Sequence, residues 1–247
     1  SQSFYGDLAA RYLGDALVDW IWEFGNHHRP DSRISMGLSV FLDNLSIETQ
    51  QRITDYQLPA NLPPMLSTVL EKKRSLGSET IFTAGYIDLK SKIALLIWMG
   101  DSRLRVWKNK QECSAEMLGL QNFQTKERWS THRGKIGELH TAVLSTEEID
   151  RVVSYSDGLS RLDRRMRSTS PSNYSLQSII DDNQQLPTSD DISFIEISLG
   201  EPPKWERKIK SPPDKILVHH EDQNRELKAS WRKNSAAQAY EVVFQSR

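Results

Sequence analysis

Several features that mark special classes of protein are scarce in this sequence of 247 residues. Its single cysteine, Cys113, cannot form an intramolecular disulfide bond and has no second thiol with which to hold a metal ion. The longest apolar runs, such as residues 93–99, are far shorter than the ~20 residues that cross a bilayer. These scarcities favour a protein without membrane-spanning segments in a reducing compartment, and we expect it to be cytoplasmic.

The sequence also lacks an excess of charge of either sign. Lys and Arg total 32 while Asp and Glu total 33, which gives a formal net charge of −1. A chain with this balance has no overall positive field to attract nucleic acid or an anionic membrane, so we expect neither as a partner. The basic stretches at residues 126–135 and 161–167 are typical of solvated faces.

Common catalytic motifs are missing as well. The sequence has no Gly-x-Ser-x-Gly element of a serine hydrolase, no phosphate-binding P-loop and no internal repeat. The pairs His27-His28 and His219-His220 have no further ligands at zinc-site spacing. The chain begins with Ser1, and no basic and then apolar leader follows it, so we interpret residue 1 as the start of a fragment.

The first part of the sequence has the periodicity of helices. Apolar residues at steps of three and four predict a core-facing helix over residues 7–24, which ends at Gly25-Asn26. Weaker patterns predict further helices over residues 34–42 and 64–75.

Strand patterns begin at residue 80. Residues 80–88, 92–99 and 104–108 are rich in β-branched and aromatic side chains, and the two short separators between them predict an antiparallel meander. The middle run is apolar on both faces, so we expect it to be an interior strand of a β-sandwich. Strands are also predicted at residues 150–156 and 192–199, with short helices between them.

Three aspartates lie at the ends of predicted strands. Asp101 follows the buried middle strand, Asp157 follows residues 150–156, and Asp190 with Asp191 precedes residues 192–199. If these strands are neighbours, the carboxylates converge, and at ~4 Å they repel by ~4 kcal/mol at an effective dielectric of 20. Hard cations such as Mg²⁺ or Mn²⁺ offset such repulsion. The alternative is that each aspartate only accepts hydrogen bonds from its own turn.

Taken in order, these motifs resemble those of the type 2C family of metal-dependent protein phosphatases. The resemblance covers roughly residues 4–200 and includes Gly6–Leu13 as the start of the family's first helix. Its motifs are Ser78-Glu79-Thr80, Gly100-Asp101-Ser102-Arg103, Ser156-Asp157-Gly158-Leu159 and Asp190-Asp191-Ile192-Ser193.

The resemblance implies an α+β fold, a β-sandwich flanked by helices in the order α-β-β-α. It also implies two or more Mg²⁺ or Mn²⁺ ions, which activate a water that attacks phosphoserine or phosphothreonine in a phosphoprotein. Asp157 and Asp190 would be ligands of one catalytic ion, and Asp101 with Asp157 would border another. The resemblance further implies that four neighbouring residues brace the site: Gly100, Arg103, Gly158 and Asp191.

Two departures from the family pattern leave a second hypothesis open. The family's bridging aspartate belongs before Gly6, where this chain has only Ser1–Tyr5, and Arg161 stands where the family usually has an acidic residue. The chain is therefore either an active phosphatase whose upstream motif lies outside this sequence, or a catalytically degenerate domain that binds or regulates a protein partner.

The C-terminal part differs in composition. Residues 201–213 contain four prolines around a charged stretch, which predicts a stiff linker after a phosphatase-like domain at residues 1–200. Residues 214–247 form a β-rich segment that resembles part of a fibronectin type III domain, with Trp231 and Tyr240 as core residues. The alternative is a polar tail with incidental aromatic residues.

Overall fold

The structure, a computed structural model, describes residues 4–27, 33–165, 173–184, 192–199, 218–220 and 227–229. The described residues have an α+β fold with several antiparallel sheets. The helices are α1 Gly6–His27, α2 Ile34–Thr54, α3 Pro64–Leu76, α4 Ser114–Met117, α5 Leu162–Arg165 and α6 Asn173–Gln184, with a 3₁₀ turn at Asp157–Leu159.

All strand pairs among the described residues are antiparallel. They are β1 Glu79–Thr80, β2 Phe82–Asp88, β3 Ile93–Met99, β4 Arg103–Lys108, β5 Gln111–Glu112, β6 Arg128–Ser130, β7 Gly134–Ile136, β8 His140–Ser145, β9 Arg151–Tyr155, β10 Phe194–Ser198, β11 Val218–His220 and β12 Leu227–Ala229. The first sheet has the order β2-β3-β8, the second β10-β9-β4-β5 and the third β1-β6-β7. Strands β11 and β12 form a separate pair.

Strand β3 lies at the centre of the apolar core, because all seven of its residues are buried. Alternate side chains of a strand point to opposite faces of a sheet, so β3 contributes to two cores. Leu95, Ile97 and Met99 pack against buried residues of α1 and α2, such as Leu13 and Leu38. This face joins the first sheet to the two long helices.

The opposite face of β3 packs against the second sheet. Ala94, Leu96 and Trp98 share a buried cluster with Leu104 and Val106 of β4. The run that was predicted to be apolar on both faces is therefore confirmed as an interior strand.

The outer face of the second sheet packs against α6 and the 3₁₀ turn. Trp107 of β4 and Tyr155 of β9 are fully buried there, together with Leu159 of the turn and Ile179 of α6. This third core fixes the segment that begins with Asp157.

The predicted meander is wrong at its third strand. Strands β2 and β3 are paired, but residues 103–108 pair with β9 and β5 in the second sheet. Gly100 has a φ of +106° and turns the chain out of the first sheet, so Leu104 and Val106 lie face to face with β3 instead of beside it. The other neighbour of β3 is β8, a strand that the sequence analysis did not predict.

The helices are longer than predicted. Helix α1 continues through Gly25-Asn26 to His27, and α2 extends beyond residue 42 to Thr54 because Leu45, Thr49 and Ile53 continue its buried side. Helix α3 has the predicted position and begins at Pro64.

The C-terminal predictions are tested only in part. Strands β11 and β12 lie in the segment that was predicted to be β-rich, residues 214–247. The linker at residues 201–213, Trp231 and Tyr240 lie outside the described residues. Among the helices described, none combines the length and the apolar character needed to cross a bilayer.

Candidate functional site

Asp101 and Asp157 lie just outside the second sheet, at the same end of strands β4 and β9. Strands β4 and β9 are antiparallel neighbours, and Arg103 is the register partner of Tyr155. Asp101 lies two residues before Arg103 and Asp157 two residues after Tyr155, so both aspartates flank the same end of this strand pair. Both residues are half-buried. Their role as metal ligands stays a prediction.

Gly100 shapes the chain just before Asp101. Its positive φ is a conformation that side chains rarely adopt, and a Cβ at this position would overlap the side chain of Ile81. Only glycine therefore fits where β3 ends and the chain turns toward Asp101.

Arg103 connects Asp101 with the segment that follows Asp157. Its Nη1 donates a hydrogen bond to the backbone carbonyl of Asp101 at 2.8 Å, and its Nε lies 3.3 Å from Oδ2 of Asp163. The guanidinium also lies over the ring of Phe123, 4.7 Å from the ring centroid. Arg103 therefore links the backbone at Asp101 to the carboxylate of Asp163.

A second buried arginine extends this network. Arg105 Nε donates to the Tyr155 hydroxyl at 2.9 Å, and that hydroxyl donates to Oδ1 of Asp163 at 2.8 Å. Burial raises the pKa of Tyr155 well above its usual range, so the phenol stays protonated and keeps its donor role. We call Arg103, Arg105, Tyr155 and Asp163 the arginine network.

The strand end at Asp157 is fixed on its other side by β10. The backbone N–H of Ser156 donates to the carbonyl of Ser193 at 3.0 Å, and the N–H of Ser193 donates to Oγ of Ser156 at 2.9 Å. Asp157 then begins the 3₁₀ turn, which contains Gly158, and its carbonyl accepts the N–H of Ser160 at 2.8 Å. The predicted residues Asp190 and Asp191 lie outside the described residues.

The donor atoms at this end of the sheet are suited to a hard cation. Carboxylate oxygens are ligands that Mg²⁺ and Mn²⁺ prefer, and Asp101 and Asp157 supply them beside the ends of two paired strands. Arg161, four residues after Asp157, is largely exposed and lies 3.9 Å from Asp182. An arginine is not a metal ligand, so within this end of the sheet the aspartates are the residues that could hold such an ion.

A different group of metal-ligating side chains was missed by the sequence analysis. Glu127, Glu138 and His140 have ligand atoms that all lie within 4.8 Å of one another. Glu138 and His140 are two residues apart, the spacing that puts both on one side of an extended chain, and this was the available signal. Glu127 comes from a separate loop, and nothing in the sequence indicates its approach.

Structural comparison matches this chain to several solved structures, and two of them are described here. One is the phosphatase domain of the cell fate determinant SpoIIE from Bacillus subtilis, at 12% identity and a TM-score of 0.34, covering 65% of this chain and 76% of that one. The other is a C. elegans sex determining protein, at 18% identity and a TM-score of 0.22, covering 59% of this chain and 44% of that one. No protein-family model matches the chain, and no curated protein matches its sequence. Similarity this low does not define a function.

Proposed function

We propose that this chain is a metal-dependent phosphatase domain that hydrolyses phosphoserine or phosphothreonine in a phosphoprotein. The observation that carries the proposal is the register of β4 and β9, which puts Asp101 and Asp157 at one end of two neighbouring strands. The order and context of the motifs at these two residues, which resemble those of the type 2C family, support the same function.

The distribution of the cores supports the finer architecture that this proposal requires. One cluster joins α1 and α2 to the first sheet, a second joins the two larger sheets, and a third joins the second sheet to α6. We therefore propose an α-β-β-α sandwich, in which the two aspartates lie at one end of the second sheet.

The proposed cofactors are two or more Mg²⁺ or Mn²⁺ ions. Asp157 and Asp190 would hold one catalytic ion, and Asp101 with Asp157 would border another. Such ions, when bound, lower the pKa of a coordinated water and neutralise the phosphoryl oxygens. The residues of this chain orient the carboxylates: Arg103 holds the backbone at Asp101, and Ser156 holds the strand end at Asp157.

A second candidate is a catalytically degenerate domain that binds a protein partner. The exposed Arg161 favours it, because this side chain brings a positive charge to a position where the family usually has a metal ligand. The next acidic residue along the chain, Asp163, is engaged by Arg103 and Tyr155. The two candidates differ in whether bound metal leads to turnover.

The test uses the native protein that contains this sequence. We expect it to hydrolyse an aryl phosphate and a phosphothreonine peptide with Mn²⁺ or Mg²⁺ and to stop when a chelator is added. Asp157→Asn removes one charge with little change in shape, so we expect the rate to fall at least tenfold. Asp19→Asn, at an exposed position on α1, is the matched control and should leave the rate unchanged.

Thermal unfolding of the same variants separates a ligand from a turn residue. Without metal, Asp157→Asn should be as stable as the wild type or more stable, because carboxylate repulsion is relieved, whereas Mn²⁺ should stabilise the wild type more than the variant. Equal stabilisation of both by Mn²⁺ would exclude Asp157 as a ligand. Metal binding at Asp157 without turnover of any phosphopeptide would support the second candidate instead.

A further inference from the structure

The group of Glu127, Glu138 and His140 shares no residue with the arginine network and combines two kinds of ligand. His140 Nε2 is 3.1 Å from Oε2 of Glu127, and one carboxylate oxygen of Glu138 lies within 4.8 Å of both side chains. Glu127 and His140 are half-buried, while Glu138 is exposed. The group is therefore open to solvent on the side of Glu138.

Two features of the chain hold this group in place. The imidazole of His140 stacks on the indole of Trp98, its register partner on β3, with ring centroids 5.3 Å apart and planes 15° apart. Gly137 has a φ of +91°, and a Cβ there would overlap the side chain of Glu127. The turn before β8 thus leaves space for Glu127 beside a histidine whose ring plane is fixed.

A hydrogen bond between His140 and Glu127 accounts for only part of this arrangement, because a second carboxylate joins them. Two carboxylates bring like charges together, which is unfavourable unless positive charge is near. Lys135 brings one positive charge to this turn, where its Nζ donates to the carbonyl of Gly137 at 3.3 Å. A divalent cation would supply further positive charge and use all three donors.

We propose that Glu127, Glu138 and His140 bind one divalent transition metal ion, with Zn²⁺ preferred to Mg²⁺. The imidazole nitrogen gives this preference, because Mg²⁺ favours an all-oxygen shell whereas Zn²⁺ binds histidine and carboxylate together. Ligand atoms of tetrahedral Zn²⁺ are about 3.4 Å apart, so the exposed side chain of Glu138 needs only to rotate toward the other two. A fourth position faces solvent and is available to water.

This site goes beyond the proposed phosphatase function and does not depend on it. The Asp101–Asp157 end of the second sheet offers carboxylates and favours Mg²⁺ or Mn²⁺, whereas the three-residue group includes a nitrogen ligand. The choice of metal and of variant therefore separates the two sites.

The test is calorimetric titration of the full chain with Zn²⁺. His140→Phe keeps an aromatic ring against Trp98 but removes the nitrogen ligand, and we expect it to bind one Zn²⁺ per chain fewer than the wild type. Glu138→Gln, at an exposed position that carries little risk to folding, should weaken that site at least tenfold. Glu147→Gln, another exposed glutamate, paired with Lys92, is the matched control and should bind as the wild type does.

Comparison of variants is necessary because Cys113 and the histidine pairs are other potential zinc ligands. A tenfold excess of Mg²⁺ should leave the Zn²⁺ titration of the wild type unchanged. Equal Zn²⁺ stoichiometry and affinity in the wild type, His140→Phe and Glu138→Gln would overturn the proposal, as would displacement of Zn²⁺ by Mg²⁺. Absence of Zn²⁺ binding by the wild type would also overturn it and would show that the group is an ion-pair cluster only.

Discussion

The two larger sheets are stabilised in different ways. In the first sheet, β3 is apolar throughout, and both of its faces pack against hydrophobic residues. In the second sheet, β4 alternates apolar residues toward β3 with Arg103 and Arg105, which are buried on the opposite face beside Asp163 and Tyr155. Buried charges are costly even when paired, so the arginine network contributes more to the geometry of the strand ends than to stability. The first sheet is therefore held mainly by apolar packing, whereas the second sheet combines apolar packing with buried charged residues near its strand ends.

The largest expected effect comes from the apolar sheet. Leu95→Ala in β3 removes a side chain that is fully buried against α1 and α2, and we expect a loss of about 2–5 kcal/mol in the free energy of unfolding, measured with urea. Val143→Ala, at the half-exposed cross-strand partner of Leu95, should cost much less. Similar losses in the two variants would show that β3 is not the centre of the core.

Removing a charge from the second sheet should destabilise the protein less than removing an apolar side chain from the first sheet. Asp163→Asn weakens the contacts with Arg103, Arg105 and Tyr155, and we expect a loss of about 1–3 kcal/mol in the free energy of unfolding. The control is Asp182→Asn, whose exposed pair with Arg161 at 3.9 Å should be worth at most about 1 kcal/mol.

A double-mutant cycle with Tyr155→Phe then tests whether the network acts as a unit. The two losses should not be additive, because both variants remove the hydrogen bond between Tyr155 and Asp163. Additive losses would mean that the arginine network is a set of independent contacts, and the proposed difference between the sheets would then lose its basis.

The sequence predicts the apolar sheet better than the charged one. A run of seven apolar residues and helical spacing over residues 7–24 reflect local rules, and the structure confirms β3 and α1. The departure of residues 104–108 from the meander depends on a backbone turn at Gly100 and on the distant partner β9, so local alternation could not show it. Strand β8 was missed because residues 109–146 have no clear alternation.

For the candidate sites too, the sequence predicts the residues that belong to local patterns and not those that are brought together by the fold. Asp101 and Asp157 were predicted as ligands because each follows a recognisable strand; the structure shows that they flank the same end of β4 and β9, and their binding of a metal stays a prediction. The role of Asp163 in linking both arginines was not predicted, since that residue lies in a charged stretch with no distinguishing pattern. Glu127 meets His140 only through the fold, because a loop and a strand of the first sheet come together there.

The smallest expected effect tests a half-buried polar residue, His132, outside both larger sheets. Burial lowers the pKa of His132 from its ordinary value of 6.5, although a hydrogen bond with Thr131 acts in the opposite direction. Below about pH 6.5 the histidine is protonated in the unfolded chain before it is protonated in the folded chain. The free energy of unfolding therefore falls as the pH decreases from about 6.5 toward the lower pKa of the folded state. In His132→Asn, the loss of stability between pH 7.5 and pH 5.5 should be smaller than in the wild type.

Acidic residues also contribute to the pH dependence, so the quantity that matters is the difference between the two proteins. An equal loss in both would show that His132 titrates as it does in the unfolded chain. Either result leaves the comparison of the two larger sheets unchanged, because His132 lies in the turn after β6 of the third sheet.

The pairing of β4 with β9 also has a consequence for how the chain folds. The hairpin of β2 and β3 joins residues that are close in sequence, whereas Arg103 meets Tyr155 only after all the chain between them has been brought into a closed loop. Long-range pairing of this kind is slow, because the entropy of loop closure is lost before the contacts form. The pairing of β3 with β8 in the first sheet spans a similar stretch of chain, so we expect the β2–β3 hairpin to become protected from hydrogen exchange before either long-range pairing. The ends of β4 and β9 that flank Asp101 and Asp157 then come together only late in folding, so a cation bound by both aspartates would report that the chain is completely folded.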